Sequence, residues 1–112
     1  MSKLILEQWE FLKDVAKLIP FIESRGLTAT GGELWRTPEQ QAIYVKKGLS
    51  KTLTSKHLER LAIDLNIFKD DKLITCPQEI GKYWISLSAK NAWGGNWVNF
   101  RDYGHFERDV SR

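Results

Sequence analysis

The chain has 112 residues, 42% hydrophobic and 28% charged, which suits one globular domain with a single core and excludes two. Its charge of +3 and pI near 9.1 are mildly basic; that balance suits an anionic polymer such as a cell wall, or serves solubility alone. The lysines alternate with acids and no recognition motif appears, which argues against nucleic acid as the partner.

No apolar run is long enough to span a bilayer, so no membrane insertion is expected. Glu7 and Glu10 interrupt the N-terminal apolar segment, unlike a signal peptide, and the expectation is a chain folded in a cytoplasm. A single cysteine, Cys76, excludes an internal disulfide and a thiolate cluster.

In chain order, Leu4 to Ile22 predicts a helix. Ile5, Trp9, Leu12, Ala16 and Ile19 recur at spacings of four and three and form its expected buried stripe, with Pro20 ending or kinking it. Leu27–Thr30 reads as a short strand, Gly31-Gly32 as a turn or bulge, and Glu33–Arg36 as a further extended piece. Thr37, Pro38 and Gln40 open a second helix with a capping box; Ala42, Ile43 and Val45 supply its inner face and Gly48 its C-terminal cap. Leu49 to Lys56 is a polar loop. Leu61 to Phe68 is a strand, with Leu61, Ile63, Leu65 and Ile67 on one face and Ala62, Asp64 and Asn66 on the other. Asp70-Asp71 turns the chain into a short strand at Lys72–Thr75.

A third helix opens near Pro77, buries Ile80, Trp84 and Leu87, and ends between Asn91 and Gly95. Trp97–Phe100 reads as a strand, Arg101–Gly104 as a bend, and His105–Glu107 as extended. The mixture predicts an α+β fold, about three helices packed on a small, mostly antiparallel sheet.

Chemistry concentrates in two places. His57 precedes Asp64 by seven residues, and Asp102 precedes His105 by three. Two imidazoles and two carboxylates supply the residue types for three metal ligands and a base. Each also has a plainer reading: Asp64 as a turn cap or lysine partner, His105 as a hydrogen-bonded structural histidine. The pattern is not the helical His-Glu-x-x-His arrangement.

Ser55-x-His57-x6-Asp64, followed by Asp102-x-x-His105-Phe106-Glu107, resembles the zinc metallopeptidases that cut bacterial cell-wall stem peptides. That family holds D-alanyl-D-alanine carboxypeptidases and the L-alanyl-D-glutamate endopeptidases of phage endolysins. The Gly32–Gln40 segment resembles the family's arginine-bearing segment. The resemblance implies a fold like that of these peptidases and the related hedgehog domain. It implies one Zn2+ held by His57, Asp64 and His105, with Asp102 as catalytic base and Arg36 as oxyanion stabiliser. Ser55 would hold the substrate backbone. Trp93 and Tyr103, with Trp35 and Trp97, are candidate cleft aromatics, each with a plainer reading as core. Asp at position 102 looks more like the phage endopeptidases. The implied protein is a monomeric, single-domain peptidase acting on the peptidoglycan stem peptide, kept in the host cytoplasm before release or carried in a virion. A D-alanyl-D-alanine carboxypeptidase and a non-catalytic, metal-bearing wall-binding module are the alternatives. Many family members carry Gly where this chain has Arg60, which questions the local loop geometry.

Overall fold

A computed structural model describes residues 2–50 and 55–111; the expected loop at Leu49–Lys56 lies partly outside them. Among the described residues there are three α-helices, α1 (Lys3–Ser24), α2 (Pro38–Lys46) and α3 (Gln78–Leu87). The strands are β1 (Thr28–Gly31), β2 (Ala62–Lys69), β3 (Lys72–Ile74), β4 (Asn91–Trp93) and β5 (His105–Arg108). All pairings are antiparallel: β1 runs along one edge of β2, β3 and β5 share the other, and β4 pairs with β5. The α+β expectation holds.

α1 starts where Ser2 Oγ accepts the amide of Ile5 at 3.1 Å. It buries Phe11, Val15, Leu18 and Ile22, not the predicted stripe. Ile5, Trp9, Leu12 and Ile19 are instead exposed. The buried face also carries Glu7 and Asp14, so counting apolar residues favours the wrong side. The two acids are partnered: Glu7 receives Arg108 Nε at 2.8 Å and Lys90 Nζ at 3.1 Å, and Asp14 receives Asn91 at 3.1 Å. A buried charge is tolerated only with such partners. Nor does Pro20 end the helix, which runs four residues further. Its ring lies on the exposed side.

The core joins α1 and α3 to one face of the sheet. Trp84 of α3 is fully buried, edge-on to Phe11 at 5.6 Å and to Phe106 of β5 at 5.9 Å. Its indole N–H is shared between the carbonyls of Ala92 and Glu107, each at 3.1 Å. One side chain thus packs the core and pins β4 and β5 together. α3 stops at Leu87, earlier than expected, and Asn91–Trp93 forms β4. The strand expected at Trp97–Phe100 is a bend instead. Glu33–Arg36 is irregular, although Gly32 and Glu33 still exchange backbone hydrogen bonds with Asp64 at 2.8 and 2.9 Å.

Two turns follow directly from residue chemistry. Asp70 and Asp71, with φ of 50° and 66°, make the two-residue hairpin between β2 and β3; aspartate tolerates this left-handed region better than most residues. Thr37 Oγ1 caps α2 by accepting the amide of Gln40 at 3.0 Å. The inner face of α2 differs from expectation. Its buried residue is Gln41, while Ala42 and Ile43 are exposed, because this helix covers polar side chains and not the core.

Arg60 closes the 3₁₀ turn Lys56–Glu59 in the left-handed region, with φ of 56°. A glycine is at ease there, which accounts for the family's preference. Arg60 stays exposed, its guanidinium 4.9 Å from the Trp35 ring. Left-handed backbone costs a non-glycine residue about 1–2 kcal/mol, and the exposed cation–π contact returns about 0.5–1 kcal/mol. Arg60→Gly should therefore raise stability by up to about 1 kcal/mol, whereas Arg60→Ala, which keeps the strain and loses the ring contact, should lower it by about 0.5–1 kcal/mol. Urea unfolding of the three proteins checks the order, and an alanine variant more stable than the glycine variant would contradict it.

Candidate metal centre

The site lies on the sheet face opposite Phe106. In the β2–β5 register Asp64 sits across from His105 and Ala62 across from Glu107. Directly paired residues share a face, so Asp64, His105 and Glu107 project to the same side. His57 arrives from the 3₁₀ turn after Ser55, whose Oγ accepts the His57 amide at 3.3 Å. Both histidines are buried, at 1% and 5% exposure.

The hydrogen bonds show which ring nitrogen each histidine turns toward Asp64, and for His57 they also fix the tautomer. His57 Nδ1 lies 3.2 Å from the Leu34 carbonyl. A carbonyl only accepts, so Nδ1 carries the hydrogen and Nε2 carries a lone pair. That Nε2 is buried, has no hydrogen-bond partner among the described residues, and faces Asp64 Oδ2 at 3.3 Å. His105 Nε2 lies 2.8 Å from Glu107 Oε1, and its Nδ1 lies 3.2 Å from Asp64 Oδ1. The ligand atoms of His57, Asp64 and His105 all fall within 4.8 Å of one another. Two ring nitrogens turned toward one carboxylate need a cation or a proton between them and it. The nitrogen–nitrogen–oxygen donor set fits a zinc-like ion.

Electrostatics point the same way. Burial acts to raise the Asp64 pKa, but the hydrogen bond to His105 and the closeness of the His57 imidazole outweigh it and hold the carboxyl well below its usual range. Burial opposes charge on His105, yet its bonds to Asp64 and Glu107 prevail and raise it to about 9. Asp102 moves in the opposite sense to Asp64: burial, then the Asp64 charge, raise its pKa. Cys76 is buried and pushed up to about 12 by desolvation, which leaves it a packing residue.

Two cavities flank the cluster. One of about 400 Å³ is lined by Arg36, Ser55, His57, Trp97, Asp102 and His105, among others. The other, of about 500 Å³, runs past Asp64, Asn66, Leu73, Asp102 and Tyr103. Asp102 borders both. Arg36 is held by the Glu33 carboxylate at Nε and by Gln41 Oε1 at 2.5 Å from Nη1. Its Nη2 is 3.9 Å from Asp64 Oδ2, and its guanidinium lies 4.5 Å from the Tyr44 ring. Tyr44 in turn donates to Glu33 at 2.9 Å.

Of the residues singled out from sequence, Arg36, Ser55, His57, Asp64, Asp102 and His105 therefore come together. Tyr103 borders the second cavity, and Trp97 leans on the His105 ring at 4.8 Å. Trp93, expected at the cleft, is 2% exposed in the core, with its N–H on the Tyr103 carbonyl at 2.8 Å. Trp35 lies on the surface beneath Arg60. Sequence reasoning assigned no role to Glu33, Gln41, Tyr44 or Glu107. Strand alternation from His105 was the available signal for Glu107.

Residues 48–108 match the model of a peptidase family described as D-alanyl-D-alanine carboxypeptidase. The chain belongs to this family. It is 34% identical over 95 residues to the L-alanyl-D-glutamate peptidase of Listeria phage A118, across 81% of this chain and 34% of that protein. The chain thus spans about a third of the length of that relative. The L-Ala D-Glu endopeptidase ChiX of Serratia marcescens shares the fold, with a TM-score of 0.69 at 21% identity, covering 88% of this chain and 80% of that one.

Within this family member, Gly94 keeps Asp102 close to the cluster. Its carbonyl accepts the Asp102 amide at 3.0 Å. A Cβ at this position would be driven into the Asp102 carbonyl oxygen and would reach 3.0 Å from His105 Cβ. Gly94→Ala should therefore cost about 1–3 kcal/mol through overpacking, seen as a melting point lower by several degrees. An unchanged melting point would show that the Asp102 loop yields freely.

Proposed function

We propose that the chain is a zinc-dependent peptidase that hydrolyses the peptidoglycan stem peptide at the bond between L-alanine and D-glutamate. The observation that carries this reading is the convergence of two buried imidazole nitrogens, His57 Nε2 and His105 Nδ1, on Asp64 beside Arg36 and Asp102. The names of the phage relative and of the Serratia structure support the choice of bond, and the mildly basic surface suits an anionic wall.

In this reading His57, Asp64 and His105 hold zinc, which would polarise the scissile carbonyl and lower the pKa of the attacking water. Asp102 takes the proton from that water as its oxygen bonds to the carbonyl carbon. Its raised pKa makes it a better base than an ordinary carboxylate. Arg36, held by Glu33 and Gln41, meets the negative charge developing on the carbonyl oxygen without having to reorganise. Asp102 then returns the proton to the leaving amine as the carbon–nitrogen bond breaks. Ser55 and the aromatic rim of Trp97 and Tyr103 would seat the peptide on either side. The domain acts as a single unit and a monomer, on the wall of a phage's host, either after release from the bacterial cytoplasm or from the virion. Among the described residues no helix is long and apolar enough to cross a membrane.

The family's description supports a second reading, removal of terminal D-alanine. Mass spectrometry of purified muropeptides incubated with zinc-loaded protein separates the two. New D-glutamate N-termini, with L-alanine left on the muramyl sugar, are the expected products. Free D-alanine would select the carboxypeptidase, and intact muropeptides would favour a non-catalytic wall-binding module.

The division of labour is tested by two substitutions. Asp102→Ala should retain stoichiometric zinc and lose about 10²–10⁴-fold in kcat. His57→Ala should lose both zinc and activity. Near-normal turnover in Asp102→Ala would remove it as the base.

A further inference from the structure

His57 and His105 present different ring nitrogens, and they are fixed by different kinds of partner. A neutral backbone carbonyl, from Leu34, holds His57. A carboxylate holds His105: Glu107 Oε1 lies 2.8 Å from Nε2, and this side chain is 14% exposed. Glu107 is one strand period beyond His105, and its cross-strand neighbour is Ala62, the smallest side chain on the site face of β2. That small neighbour leaves the carboxylate room to turn toward His105, while its side chain also borders the cavity of about 400 Å³. The core-facing residue between them, Phe106, is fully buried against Trp84. The backbone from which Glu107 projects is therefore fixed, and its carbonyl is also bonded to the Trp84 indole.

We propose that Glu107 is a positioning residue for the metal centre. It accepts the Nε2 hydrogen of His105, which sets the ring tautomer and turns the Nδ1 lone pair toward the ion shared with His57 and Asp64. A carboxylate in this place also makes the imidazole a stronger donor than a carbonyl would. The proposal rests on the reading of the His57–Asp64–His105 cluster as a metal site. Glu107 contacts His105 and also borders the cavity, so a positioning role must show itself in metal affinity and not in KM alone.

The test is zinc titration of wild-type protein, Glu107→Gln and Glu107→Ala against a competing chelator, with the melting point of each protein as the control for folding. Glu107→Ala should bind zinc about 10–100-fold more weakly, and Glu107→Gln, which keeps an acceptor oxygen, should recover much of that loss. In NMR spectra of the zinc-loaded proteins, the His105 Nε2 hydrogen should be protected from exchange in wild type and lost to exchange in Glu107→Ala. Zinc affinity within twofold of wild type in Glu107→Ala would overturn the proposal while leaving the metal reading intact. A raised KM at unchanged zinc affinity would overturn it too, by placing Glu107 on the substrate. Failure of wild type to take up zinc would instead sink the metal reading itself, and this proposal with it.

Discussion

The whole site depends on one antiparallel pairing, Asp64 against His105 across β2 and β5. These residues are 41 apart in sequence, so nothing local brings them together. A slip of one residue would turn His105 and Glu107 into the core and Phe106 into the cleft. The register is held from the apolar side. Phe106 is buried against Trp84, whose indole hydrogen bridges the Ala92 and Glu107 carbonyls. Arg108, the last residue of β5, reaches Glu7 on α1. Breaking a buried pair of that kind costs about 3–5 kcal/mol, because one charge is left without a partner. The core therefore sets the geometry of the chemistry on the sheet's other face.

Charge on the site face is arranged in alternation. Asp64 lies between two imidazoles, and Arg36 stands 3.9 Å from its second oxygen. Arg36 is only 10% exposed at its side chain, and alone it would be costly to bury. Glu33 offsets its charge and Gln41 takes another donor, which leaves Nη2 on the cavity side. Tyr44 completes the frame by donating to Glu33. This explains why α2 turns a glutamine and a tyrosine inward while leaving Ile43 outside. The helix serves as a clamp for a cation, and its amphipathicity follows that duty more than the core.

The elements most legible in sequence were those whose signal is local. The Thr37 cap, the Asp70-Asp71 turn and the alternation along β2 depend on residues within a few positions of one another. α1 was legible as a helix but not in orientation. Both of its sides are apolar, and the side carrying Glu7 and Asp14 wins because Arg108, Lys90 and Asn91 wait for those acids more than seventy residues away. β4 was hidden for a similar reason. Asn91–Trp93 looks like a helix end until β5 is there to pair with it. At the site, residue types and motif spacing pointed to Arg36, His57, Asp64, Asp102 and His105, yet their convergence is a property of the β2–β5 register. Trp93 shows the limit of composition: an aromatic close to the motif in sequence fills the core beneath Gly81 and Gly95.

Arg60 shows how a departure from a family pattern is resolved by backbone conformation. Its position needs a left-handed residue because the chain must leave the 3₁₀ turn that carries His57 and enter β2, which carries Asp64, within two residues. Glycine meets that need through freedom at φ. Arginine meets it at some cost in strain and regains part of that cost on the Trp35 ring. The Arg60 amide still bonds the His57 carbonyl at 3.4 Å, and the next amide, of Leu61, bonds that of Lys56 at 3.1 Å. With those two bonds kept, the path from His57 to Asp64 is preserved. The substitution then bears on stability and on the outer surface near Trp35, and leaves the arrangement of His57, Asp64 and His105 untouched.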